Sequence, residues 1–143
     1  MRTLITGTSQ GIGKALAQIF LDNGHEVIGF DRQDAGITHE RYTHFCLDIR
    51  GDLPEISDVE ILINNAGAGL SIKEVADQTI EEIDSIIKLN LNSVIYGCRQ
   101  FANQFKAQKT GTIINMSSIC ARQCWPTWTT YAAAKAGVLN FSK

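Results

Sequence analysis

The sequence predicts an α/β protein built on a doubly wound parallel β-sheet with about five strands present. Three observations predict it. Short apolar runs alternate along the chain with longer segments of helical periodicity. The first strand–turn–helix–strand unit closes within about 30 residues, the size of a right-handed βαβ crossover. A later run, Ile61-Leu62-Ile63, is continuously apolar, as a strand covered on both faces must be.

Residues 3–6 are β-prone and end in a Gly-rich turn. From Gly11 the pattern becomes helical, with Ile12, Ala15, Leu16, Ile19 and Phe20 on the predicted inner face. Asn23-Gly24 closes that helix as a left-handed cap would. Residues 26–30 form a second strand that stops at Asp31. Residues 32–42 are polar and weakly periodic, and a short helix is the expectation there. Residues 43–47 read as a third strand ending at Asp48, followed over 50–58 by a loop containing Pro54. The fourth strand runs into Asn64-Asn65-Ala66-Gly67. Thr79 with Glu82 matches a capping box, and Ile80, Ile83, Ile87 and Leu91 form the predicted apolar face behind it. Val94, Cys98, Phe101, Ala102 and Phe105 continue the helical spacing as far as Thr110-Gly111. Residues 112–116 are a fifth strand, 117–129 a loop, and a last helix starts near Thr130.

A chain of 143 residues suffices for one domain, 1–143, around one core. Its formal net charge of −2 and the absence of any Lys/Arg run give no electrostatic footprint for nucleic acid. No apolar stretch is long enough to span a membrane. The N-terminus enters a strand at once and leaves no room for a signal peptide, so a cytoplasmic location is expected. Cys46, Cys98, Cys120 and Cys124 are then expected as thiols. They do not cluster with His25, His39 or His44, and no metal site is expected.

Gly7-Thr8-Ser9-Gln10-Gly11-Ile12-Gly13 lies between the first strand and the first helix. Glycines there let the backbone turn tightly and approach a pyrophosphate, while the helix N-terminus offers free N–H groups to it. Asp31 follows about 20 residues on, where an acid hydrogen-bonds the adenosine ribose. A carboxylate there repels a 2′-phosphate, so NAD is favoured over NADP; Arg32 is the counter-argument, since it can accommodate that phosphate.

Tyr131 and Lys135 stand four apart at the start of the last helix, which puts both on one face. A tyrosine, ordinarily of pKa about 10, becomes a usable base only when a nearby ammonium stabilises its phenolate. Ser118, thirteen residues before Tyr131 and just past the fifth strand, offers a hydroxyl to a substrate oxygen. Asn90 brings an amide into a helical region, where it can disturb the helix hydrogen bonding and hold a water.

With these motifs in this order, the chain resembles the short-chain dehydrogenase/reductase family. The matching positions are Thr6-Gly7, Gly11-Ile12-Gly13, Asp31, Asp48, Asn64-Asn65-Ala66-Gly67, Asn90, Ser118 and Tyr131 with Lys135. The resemblance implies a Rossmann-type fold and reversible hydride transfer between a nicotinamide and a secondary alcohol or ketone. It implies that Tyr131 is the general acid/base, with Lys135 binding the nicotinamide ribose and tuning Tyr131. Ser118 would orient the substrate, and Asn90 would hold the water of a proton relay. Asp48 and Ile49 would lie against adenine, and Asn64 to Gly67 along the adenosine side. Residues between Ser118 and Tyr131, including Cys120, Gln123, Cys124, Trp125, Pro126 and Trp128, would border the substrate, and two tryptophans suggest an apolar or ring-containing one. The helical region around 94–105 and the last helix would pair copies into a homodimer or homotetramer.

Family members continue past the Tyr-Lys helix into further strands and a loop over the substrate, so the domain reads as C-terminally shortened, with its fifth strand left as an edge. The segment between strands three and four also reads as too short for the usual crossing helix. A catalytically incomplete dinucleotide-binding module is therefore the alternative reading.

Overall fold

Side chains on a strand alternate between faces, and on β1 (Arg2–Thr6) that alternation sends Leu4 into one core cluster and Ile5 into another. β2 (Glu26–Asp31) divides in the same way, with Ile28 and Phe30 on the Leu4 side and Val27 on the Ile5 side. β4 (Ile61–Asn64) places Leu62 with Leu4 and Ile63 with Ile5. These three strands are the buried centre of a sheet completed by β3 (Tyr42–Cys46) and β5 (Thr112–Asn115). All four pairings are parallel, in the order β3-β2-β1-β4-β5. This computed structural model describes residues 1–123 and 125–143.

The helices cover both faces. α1 (Gly11–Asp22) packs on the Ile5 side through Ala17 and Leu21, with Leu16 and Phe20 partly buried beside them. α3 (Ser93–Gln108) covers the Leu4 side through Phe101 and Phe105. Phe101 and Phe30 are almost fully buried, and truncating either to alanine is expected to cost about 3–5 kcal/mol. α4 (Thr129–Phe141) meets α3 where Val138 packs against Val94 and Cys98.

The α3 face is the predicted one, with Val94, Cys98 and Phe101 buried, whereas the faces of the two earlier helices differ in part from the predicted ones. Ile12 and Ile19 are exposed, and α1 meets the sheet through Gly13, Ala17 and Leu21. Small residues let that stripe approach closely. The capping box is present: Thr79 Oγ1 accepts from the Glu82 N–H, and Glu82 Oε2 accepts from the Thr79 N–H. In the helix it starts, α2 (Ile80–Ile87), Ile86 is fully buried while Ile80 is exposed. A turn of π-helix, Lys88–Asn92, joins α2 to α3. Residues 32–41 form no helix; an irregular segment buries Ile37 against the α1 face.

The connection from β3 to β4 must cross from one sheet edge past β2 and β1. It does so without a helix, and Ile49, Leu53, Ile56 and Val59 cover the Leu4 side of the sheet instead. β5 has a mostly exposed surface, with Ile113 and Ile114 both accessible. Within the predicted loop that follows it lies a short 3-10 turn, Ile119–Ala121.

Candidate active site

The chain winds β1-β2-β3 outward to one side and β4-β5 to the other, so the sheet changes direction between β1 and β4. In an open α/β sheet that switch point, at the carboxyl ends of the strands, is where ligands bind. A cleft of about 480 Å³ opens there.

One end is built by the Gly-rich turn. Gly7 has φ +79°, and Gln10 is extended before α1 begins. A Cβ on Gly13 would lie 2.0 Å from the Gly7 carbonyl oxygen, so only glycine lets the helix start directly against the turn. No side chain caps this helix and no acid lies in its first turn, which leaves its N-terminal N–H groups facing the cleft without a side-chain acceptor. Gly11, Ile12 and Gly13 line the cleft, and Gln10 flanks them. Asn65 holds the turn from β4: its Nδ2 donates to the Thr6 carbonyl at 2.9 Å, and its N–H donates to Thr6 Oγ1 at 3.0 Å. The Ala66 N–H shares that same hydroxyl at 2.9 Å.

Asp31 ends β2 at the rim of the cleft. Oδ2 accepts the Ser9 N–H at 2.9 Å, and Oδ1 accepts the Gln33 N–H at 3.0 Å. Ser9 itself does not line the cleft, whereas Arg32 does. Beyond β3, Asp48 and Ile49 form the next wall. Both Asp48 oxygens are taken by Arg50: Nε lies 3.0 Å from each, and Nη2 lies 2.5 Å from Oδ2. That hydrogen-bonded guanidinium holds the Asp48 carboxyl below the usual carboxylate range. Arg50 went unnoticed in the sequence, although opposite charges two residues apart at a strand end were the available signal.

The other end lies between β4, β5 and α4. Gly67, Tyr131 and Lys135 line it. Lys135 is 3 % exposed, and its Nζ donates to the Met116 carbonyl at 2.8 Å. It sits 5.8 Å from the centre of the Tyr131 ring. Burial pulls the Lys135 ammonium down to about 8. Ser117 Oγ donates to the Lys135 carbonyl at 2.8 Å and so ties α4 to the end of β5. A Cβ on Gly67 would come 2.7 Å from Asn90 Oδ1 and 3.1 Å from Lys135 Nζ, so this glycine keeps the space between them open.

Like Ser9, the predicted side chains Asn64, Asn90 and Ser118 lie outside the cleft lining. Asn90 is fully buried in the π turn. Its Nδ2 donates to the carbonyls of Ala68 at 2.8 Å and Ile86 at 3.0 Å, and its Oδ1 accepts the Ala68 N–H at 3.0 Å. Asn64 turns toward α3 and β5, donating to Asn115 Oδ1 at 2.8 Å. Ser118 Oγ accepts the Cys120 N–H at 3.2 Å and caps the 3-10 turn. Of the loop beyond it, Trp128 packs edge-on against Tyr131 with centroids 5.4 Å apart. Cys120 is buried and Trp125 exposed. Cys124 lies outside the described residues.

Among the described residues no group of three or more His, Cys, Asp or Glu could hold a metal ion, and no helix is long and apolar enough to cross a membrane.

A glycine turn feeding a helix N-terminus, with an acid ending the second strand of a doubly wound sheet, defines a Rossmann-type α/β protein. The family model described as short chain dehydrogenase matches residues 52–143. The chain is 29 % identical to a benzil reductase ((S)-benzoin forming) of Bacillus subtilis, covering 98 % of this chain and 64 % of that protein. It is 32 % identical to 3beta-hydroxysteroid dehydrogenase 1 of Eggerthella lenta, covering 98 % and 61 %. The closed form of serine dehydrogenase complexed with NADP+ superimposes with a TM-score of 0.91 at 26 % identity, covering 99 % of this chain and 64 % of that one. The chain belongs to the short-chain dehydrogenase family, a family of oxidoreductases, and spans 61–64 % of the length of these two curated relatives.

Proposed function

We propose that this chain is the dinucleotide-binding and catalytic domain of an NAD-dependent oxidoreductase acting on a secondary alcohol or the corresponding ketone. The observation that carries the reading is a single cleft with Gly7–Gly13 and Asp31 at one end and Tyr131 with Lys135 at the other. The residues fit a dinucleotide: an uncapped helix N-terminus for the pyrophosphate, a carboxylate for the adenosine ribose, and open space at Gly67. Asp48 and Ile49 would flank the adenine, with Asn64 to Gly67 beside the adenosine half. Asp31 supports NAD. Arg32 beside it, and the NADP+ complex of serine dehydrogenase, are what NAD must be tested against.

When bound, the nicotinamide supplies a hydride acceptor or donor. The chain supplies the proton chemistry. In the oxidation direction Tyr131 Oη, as phenolate, takes the hydroxyl proton of the alcohol; in reduction the phenol returns it to the carbonyl oxygen. The Lys135 ammonium stabilises the negative charge that forms on Tyr131, and its burial strengthens that effect. Ser118 orients the substrate oxygen, and Asn90 fixes the Ala68 backbone beside the reacting end. Trp128 and Trp125 favour an apolar or ring-containing substrate. The whole protein is proposed to be a cytoplasmic homodimer or homotetramer paired through its long helices.

One observation favours a second reading, a binding module without turnover: Ser118 Oγ is engaged with its own turn and does not line the cleft. Fluorescence titration with NADH and, in parallel, NADPH tests the primary reading. Tight NADH binding with weak NADPH binding is expected, and no binding of either overturns it. A subsequent screen of secondary alcohols and ketones separates enzyme from module.

A further inference from the structure

The phosphate turn is fastened to the ribose acid by a closed ring of side chains that no sequence motif announces. Thr8, inside the glycine turn, is fully buried, and its Oγ1 lies 2.8 Å from Tyr42 Oη. Tyr42 Oη lies 3.0 Å from His44 Nδ1, and His44 Nε2 lies 2.8 Å from the Gln33 carbonyl oxygen. Ser9 Oγ donates to that same carbonyl at 3.3 Å. Asp31 then bonds the N–H groups of Ser9 and Gln33 from inside the ring.

The proton directions follow from chemistry. A carbonyl oxygen only accepts, so His44 donates through Nε2. In the neutral imidazole Nδ1 then accepts from the Tyr42 hydroxyl, and the Tyr42 oxygen is left to accept from Thr8. Burial pushes the Tyr42 phenol up, which keeps it a donor. Space is reserved for this arrangement: a Cβ on Gly29 would lie 2.2 Å from Tyr42 Oη and 2.3 Å from Thr8 Oγ1.

We infer that Tyr42 and His44 are positioning residues for cofactor selection, holding the glycine turn and the Asp31 carboxylate in the one relative placement that receives an adenosine ribose with a free 2′-hydroxyl. The inference rests on the dinucleotide reading proposed above. Neither residue lines the cleft, so each acts only through Thr8, Ser9, Gln33 and Asp31.

Tyr42→Phe and Thr8→Val each remove the central link while keeping side-chain volume. NADH and NADPH titrations of the wild-type chain, both single variants and the double variant test the idea. NADH affinity is expected to fall roughly 5–10-fold in either single variant, and no further in the double. NADPH affinity should change less than about twofold, because Asp31 does not serve that ligand. A general structural defect weakens both dinucleotides alike, and that result overturns the inference. Unchanged NADH affinity, or losses that add in the double variant, also overturn it. A wild-type chain that binds neither dinucleotide overturns the functional reading, and the inference with it.

Discussion

Lys135 Nζ lies 5.8 Å from the centre of the Tyr131 ring and is anchored there by the Met116 carbonyl at 2.8 Å. The anchor holds the ammonium from the residue that follows β5, outside the helix that carries both residues. The phenol therefore faces a fixed charge. In the Tyr131→Phe variant the ring and its Trp128 contact remain, and only the exchangeable proton is lost. Turnover is expected to fall about 10²–10⁴-fold while NADH affinity stays within about twofold. Steady-state rates beside a binding titration check it, and unchanged turnover refutes the role given to Tyr131.

The same lysine is a burden on the fold. Its ammonium titrates near 8 in the folded chain against an ordinary 10.5, because burial strips its water. Between those values the unfolded chain holds more protons, so this contribution to stability rises with pH from 8 to 10.5. Below pH 8 the full desolvation penalty is present. Lys135→Met removes that penalty and loses the Met116 hydrogen bond, for a net gain of about 1–2 kcal/mol at pH 7. By pH 10.5 the gain should be gone and its sign reversed, because the wild-type chain recovers about 3 kcal/mol as Lys135 sheds its proton. Urea unfolding at the two pH values checks it, and a variant less stable at pH 7 contradicts it. Turnover is expected to be lost at both.

What the sequence made legible was chemistry that dictates residue type and spacing together. A turn that must pass close to a helix start needs Gly7 and Gly13, and a tyrosine with a lysine one turn on declares a shared face. The five strands emerged within about one residue because their apolar runs are short and sharply bounded. The faces of α1 and α2 were read less well than that of α3. Periodicity finds a stripe without saying which stripe is inside, and Gly13, Ala17 and Leu21 won over Ile12 and Ile19 because small residues allow the closest approach to the sheet. The Met116 carbonyl and the Ser9 N–H were invisible because backbone groups carry no residue identity. Asn90 was noticed as an anomaly in a helix, but its partner, the Ala68 backbone 22 residues earlier, needed the fold.

Asn90 makes three hydrogen bonds while fully buried, so its removal leaves the Ala68 N–H and carbonyl without their partner. Asn90→Ala is expected to destabilise the chain by about 2–4 kcal/mol, well beyond a surface substitution. Asn90→Asp keeps the acceptor for the Ala68 N–H but loses both donated bonds and buries a charge, so it should be no better. Denaturant unfolding of both variants checks this, and a loss under about 0.5 kcal/mol for Asn90→Ala contradicts the tethering role.

Asp31 carries two duties that one substitution can separate. Its oxygens hold the Ser9 and Gln33 N–H groups, and in the proposed dinucleotide site its charge would meet a 2′-phosphate. Asp31→Asn retains an acceptor for the turn and removes the charge. With Arg32 already at the rim of the cleft, NADPH affinity is expected to rise about tenfold relative to NADH. Paired fluorescence titrations at low and moderate salt check it, because attraction between Arg32 and a phosphate weakens as salt screens it. A ratio that does not move with the charge would mean that selection rests on the shape of the turn alone, and the case for NAD would then lose its electrostatic half.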